Sequence, residues 1–250
     1  MARFPGPFGL DRSRPVEMGD ASAAVVAKFF NAVYAWMCVG MAVTAMVAFF
    51  TAQSPNFVVN VAHWWILLLV VEIGLIFGIN SSVKRNIGAG LATALFLLFA
   101  AVNGLVLSSI FLVFALGTIA SAFIITAGTF GVMSIYGMVT KRDLTSVGRI
   151  AIMAVVGIII ASIVSIFWHN TMLQVAINYI GVLAFVALTA YDTQRLRLMA
   201  LQIGDDQALA ARMSVVWSLV LYLDFINLFL FIVQIMGGSR RRYENPGSPI

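Results

Sequence analysis

Apolar residues in this chain fall into runs of about twenty, separated by short polar breaks. The runs are Phe29–Phe50, Phe57–Ile79, Ile87–Leu107, Phe111–Val139, Val147–Trp168, Met172–Tyr191 and Met213–Met236. At about 1.5 Å per helical residue, each can cross a hydrocarbon core of about 30 Å. The fourth is too long for one straight span, so its first residues are expected in a loop. The pattern predicts an all-α integral membrane protein with seven transmembrane helices. Around the transmembrane domain (29–236) it leaves a polar N-tail (1–28) and a basic C-tail (237–250).

Composition agrees. Of the 250 residues, 62% are hydrophobic and 10% charged, against about half and about a quarter in soluble domains. Met1–Lys28 carries Pro5, Pro7, Pro15 and mixed charges, and lacks the apolar core of a cleavable signal. The first span is therefore expected to serve as an uncleaved insertion signal.

The net charge of +5 does not point to nucleic acid, because the basic residues form no stripe with interleaved aromatics. They act as topology determinants. Arg3, Arg12, Arg14, Lys28, Lys84, Arg85, Lys141, Arg142, Arg149, Arg195, Arg197 and Arg212 collect on one side, and the three opposite breaks hold no Lys or Arg. Positive-inside bias then predicts a cytoplasmic N-terminus. Seven spans from there would deliver Arg240, Arg241 and Arg242 outside, unless the last segment is re-entrant. The upstream charges favour seven full spans.

Small residues suggest helix contacts at Gly88, Gly90 and Ala92 in the third span, and at Gly117, Ser121, Gly128 and Gly131 in the fourth. The single Cys38 excludes an intrachain disulfide and is expected to be a small buried thiol.

Three carboxylates interrupt the apolar runs: Glu72, Asp192 and Asp224. A charge at the centre of a span costs on the order of 3 kcal/mol, so such groups face the bundle interior, pair, or change protonation state. Asp224 lies near the middle of the seventh run, with Asn227 three residues on along the same face. Asp192 closes the sixth run, with Asn178, Gly181, Phe185 and Leu188 or Thr189 behind it on the same side. The alternative for Asp192 is a wet interfacial carboxylate paired with Arg195. Glu72 lies in the cytoplasmic half of the second run, where it could line a cavity or form an ion pair. Two carboxylates brought together titrate as a unit, and protons compete with a hard cation such as calcium for their oxygens.

These residues resemble the transmembrane Bax inhibitor motif family, the Bax-inhibitor-one-like membrane proteins of the bacterial pH-sensitive calcium leak type. The similarity is carried by Ser121–Gly131 with Ser134, Tyr136-Gly137 and Lys141–Leu144, by Tyr191-Asp192, and by Leu221–Phe229 around Asp224. It covers roughly Val25 to Met236. It implies six helices around a central seventh and a pH-sensitive calcium leak channel gated by Asp192 and Asp224. Lys84 or Arg85 would latch the pair, Glu72 and Asn227 would line the pore, and calcium would be permeant or bound at the pair. The basic C-tail departs from bacterial members of the family.

The resemblance also implies an alternative, an interaction protein that modulates a membrane-bound AAA protease or stress and cell-death signalling through its N-tail. A proton-coupled transporter is disfavoured by the lack of paired Gly/Pro-broken spans. Nothing suggests an enzyme: HExxH, P-loop and GxSxG motifs are missing, and His63 and His169 fall at the outer face, His63 beside Trp64-Trp65 as an interfacial residue. With no organelle signal, a bacterial inner membrane is the expected location.

Overall fold

The computed structural model describes residues 20–84, 88–168, 170–204 and 206–244. Most of the N-tail, Arg85, Ile87, His169 and the last six residues lie outside that set. So do the side chains of Lys84 and Arg240–Arg242.

Among the described residues the chain is helical: α1 (Asp20–Ala52), α2 (Pro55–His63), α3 (Trp65–Lys84), α4 (Ala89–Leu107), α5 (Ile110–Val113), α6 (Leu116–Val139), α7 (Thr145–Phe167), α8 (Thr171–Ile203) and α9 (Gln207–Glu244). Six of these are long and apolar enough to cross a membrane, and α2 with α3 supplies a seventh span if the bent pair is taken as one.

Local chemistry sets the breaks. Asp143 accepts from Thr145 N at 2.9 Å and opens α7. Asn170 caps α8, its Oδ1 accepting from Met172 N at 2.9 Å and Leu173 N at 3.3 Å. Gly204 ends α8 at φ 56°, and Asp206 accepts from Leu209 N at 2.9 Å to start α9. The first residues of the fourth run, expected in a loop, are instead helical in α5 and continue the span of α4, and the chain breaks only at Phe114 and Ala115 before α6.

Two runs depart from expectation. The second is broken at Trp64, where α2 and α3 meet at 68°. In α2, Asn56, Asn60 and His63 repeat at helical spacing opposite the buried Val58. Such a two-faced helix, with Trp64 and Trp65 exposed beside it, suits the membrane interface better than its core. Glu72 consequently sits near the middle of α3. The sixth run does not end at Tyr191: α8 continues to Ile203, so Asp192 stands inside a helix.

The centre is α9. In its spanning window 56% of residues are buried, against 17–33% in the other long helices. It packs against α1, α4, α6 and α8, while α7 packs on α8. Phe123 and Phe130 of α6 hold it edge-on through Phe225 and Phe229, at centroid distances of 5.5–6.4 Å. Outward faces are apolar: Phe77, Ile124, Ile150, Met153 and Leu183 are all exposed. Only a hydrocarbon solvent accommodates that surface, and the chain is an integral membrane protein.

The helix contacts use other small residues than those expected. A side chain added at Gly88, Gly90, Gly117, Gly128 or Gly131 would meet nothing, whereas Ala92 is buried. Close approach occurs instead at Gly137 against the Ala190 carbonyl, Gly148 against the Tyr191 ring, Gly181 against Phe231 and Gly104 against Thr44. The buried stripe of α6 runs Thr118, Ala122, Thr126, Phe130, Ser134, Gly137, so Gly117, Gly128 and Gly131 fall beside it. Cys38 is also corrected: it is exposed on α1, because a thiol facing lipid tails carries no penalty that would force it inward.

Candidate functional site

Asp192 of α8 and Asp224 of α9 meet at the seam of these two helices. Both are buried, and their carboxyl groups face one another across the seam. A carboxylate only accepts, so a hydrogen bond between the two requires that one of them carry a proton. Asp224 Oδ2 is buried with no hydrogen-bond partner among the described residues. The positive charge of Arg195, one turn along α8, acts on Asp192. Its guanidinium is held over the Tyr191 and Trp217 rings at 5.4 and 5.8 Å. The wet, exposed alternative for Asp192 therefore does not hold.

Why α8 places Asp192 here follows from its grip on α6 and α7. Gly137 lets α6 touch the α8 backbone at Ala190, and Gly148 of α7 seats the Tyr191 ring. Gln194 then ties the α6–α7 connection: its Oε1 accepts from Leu144 N at 2.9 Å and its Nε2 donates to Arg142 O at 2.7 Å. Arg197 Nη1 donates to Met138 O at 3.0 Å. Asp192 is thus mounted on a backbone clamped from residue 190 to residue 197. These contacts also bring Arg142 to the end of the bundle that carries Arg195 and Arg197, which follow Asp192 by about one turn of α8.

The remaining candidates separate. Asn227 Nδ2 donates to Leu223 O of its own helix at 2.8 Å, so its amide is not committed to Asp224. Glu72 forms a second polar cluster. Asn103 Nδ2 donates to Glu72 Oε1 at 3.0 Å, and Tyr222 OH donates to Asn103 Oδ1 at 3.1 Å. Thr44 Oγ1 lies 2.7 Å from Tyr222 OH and 2.8 Å from Ala100 O. Asn103, Tyr222 and Thr44 were not among the residues expected from sequence. An amide inside the apolar run of α4 was the available signal, and a search confined to acidic groups passes over it. The latch candidates, Lys84 and Arg85, fall where side chains are not described.

A helical bundle with lipid-facing sides and a carboxyl pair closed against its central helix defines an integral membrane protein with an ionisable core. Comparison places it further. The family described as Inhibitor of apoptosis-promoting Bax1 matches residues 26–241. The chain is similar to the inner membrane protein YbhL of Escherichia coli (strain K12), with 43% identity over 212 residues, 83% of this chain and 90% of the relative. A protein of Deinococcus radiodurans is 41% identical over 215 residues, 86% of this chain and 92% of its own. One of Caulobacter vibrioides is 37% identical over 243 residues, 93% and 97% respectively. The chain belongs to the Bax inhibitor-1 family.

Proposed function

We propose that this protein is a pH-sensitive calcium leak channel of a bacterial inner membrane, gated by Asp192 and Asp224. The observation that carries the reading is the buried carboxyl–carboxyl contact, with one Asp224 oxygen left without a partner. While the two groups share a proton, the contact joins α8 to α9. Loss of that proton leaves two adjacent carboxylates, which repel and free oxygens suited to a hard cation. Because α8 is clamped to α6 and α7, the partner expected to move is α9. The inner-membrane location rests on the name of the YbhL relative, and a cytoplasmic N-terminus rests on the basic end of the bundle.

The test is calcium flux into proteoliposomes holding the full chain, at mildly acidic and mildly alkaline pH, for wild type and Asp224→Asn. Flux that varies with pH in wild type and not in the variant supports the reading. Folded protein that passes no calcium above empty liposomes under either condition overturns it and favours the interaction protein acting through the N-tail.

A further inference from the structure

The Glu72 cluster is a hydrogen-bonded chain whose hydrogens can be placed in two ways, one for each charge state of Glu72. Asn103 offers one acceptor and one donor end, Tyr222 and Thr44 each have one hydrogen and accept as well, and Glu72 is purely an acceptor when ionised and gains one donor when protonated. With Glu72 ionised, Asn103 Nδ2 donates to the carboxylate and Tyr222 to Asn103 Oδ1, as observed at 3.0 and 3.1 Å, while the one hydrogen of Thr44 lies between Ala100 O at 2.8 Å and Tyr222 OH at 2.7 Å. With Glu72 protonated, the arrows reverse as far as Thr44: Glu72 donates to Asn103 Oδ1, the turned amide donates to Tyr222, Tyr222 donates to Thr44, and Thr44 gives its hydrogen wholly to Ala100 O. That last contact is already in place at 2.8 Å. Among heavy atoms only the amide must rotate, exchanging two atoms of nearly equal size, while the hydroxyl hydrogens turn to their new acceptors.

We propose that Glu72 is a proton-binding site separate from the aspartate pair, and that its proton sets the direction of the chain Glu72–Asn103–Tyr222–Thr44. The chain crosses four helices, α3, α4, α9 and α1. Thr44 and Tyr222 are buried, so the middle of the chain exchanges its hydrogen bonds internally and not with water. The other groups around Glu72 leave it as the titrating member. α4 carries no ionisable residue, and α3 has none between Glu72 and Lys84. α9 presents the Tyr222 hydroxyl, while Asp224 points to α8. On α1 the nearest ionisable residue is the exposed Cys38. On α2 it is the exposed His63, whose Nδ1 lies 2.8 Å from Val59 O. The proposal does not depend on calcium conduction.

Infrared difference spectra of the full chain in lipid bilayers, taken across a pH titration, test it. A protonated-carboxyl band that grows on acidification is expected to survive in Asp192→Asn/Asp224→Asn and to vanish in Glu72→Gln. A tyrosine band is expected to shift over the same pH range and to be lost in Tyr222→Phe, which keeps the ring packed against Phe96 and Phe99 at 5.9 and 5.8 Å. If the double variant does not fold, the wild-type minus Glu72→Gln difference carries the same information. A carboxyl signal unchanged in Glu72→Gln overturns the proposal, as does a Glu72 signal with no accompanying tyrosine shift.

Discussion

Tyr222 and Asp224 stand two residues apart on α9 and face opposite sides of it. Two residues turn a helix by about 200°. Tyr222 therefore meets Thr44 and Asn103 on α1 and α4, while Asp224 meets Asp192 on α8. The central helix carries an ionisable cluster on each face, and a movement of α9 that opens one seam must be accommodated at the other. Two-state packing of this kind allows a protonation event at one site to bias the other.

The separation of α8 and α9 is predicted to increase as pH rises. The contact needs a shared proton, so it is present at low pH and lost as that proton leaves, with repulsion replacing attraction. Spin labels at Leu183→Cys and Gly238→Cys, in a background where the exposed Cys38 is replaced by Ser, report the distance. Asp192→Asn should hold the short distance at every pH, because its amide donates to Asp224 without a titrating proton. A spacing independent of pH in the wild-type background counts against the shared-proton contact.

Calcium is predicted to restore the short spacing at alkaline pH, by standing between the carboxylates where the proton stood. Calcium accepts irregular oxygen coordination, whereas magnesium requires near-octahedral geometry and sheds water reluctantly. At equal concentration, then, calcium should shorten the spin-label distance more than magnesium does. Equal effects of the two ions would indicate general screening in place of a bound cation.

Much of this was legible in the sequence, for physical reasons. Long apolar runs have one stable form in lipid, and a carboxylate within them has few places to go, which is why Asp192 and Asp224 stood out. The extent of α8 was not legible. Its last turns are polar on the sides that grip α6 and α7, and that pattern resembles a loop until Gln194 and Arg197 are seen bonded to Arg142, Leu144 and Met138 backbone. The glycines failed for a related reason. In an all-apolar helix, hydrophobicity marks no face as inward, so only the partner helix distinguishes Gly137 from Gly128.

That distinction makes a paired prediction. A methyl group at Gly137 meets the Ala190 carbonyl, so Gly137→Ala should push α6 off α8 and destabilise the fold by about 1–3 kcal/mol. Gly128→Ala has open space around it and should be neutral, or stabilising by about 0.5–1 kcal/mol through better helix propensity. Thermal unfolding of both variants in the same detergent gives the order. A Gly128→Ala protein less stable than Gly137→Ala would contradict the helix packing described.

Gln194 separates support of the site from chemistry within it. Gln194→Leu removes a donor and an acceptor together and leaves Leu144 N and Arg142 O without their present partner, at a cost of about 1–3 kcal/mol. Because Gln194 does not touch either carboxyl group by any observed hydrogen bond, the shared proton itself should survive. What should change is the rigidity of the backbone that carries Asp192. The expected result is faster amide hydrogen exchange across residues 140–148 and 190–197, together with a pH-dependent α8–α9 distance that persists over a broader range. Exchange unchanged in both segments would show that the close approaches at Gly137 and Gly148 hold α8 in place without the amide clamp. Loss of the pH response along with faster exchange would instead mean that the carboxyl contact forms only on a backbone held this tightly, and that Gln194 positions Asp192 for it.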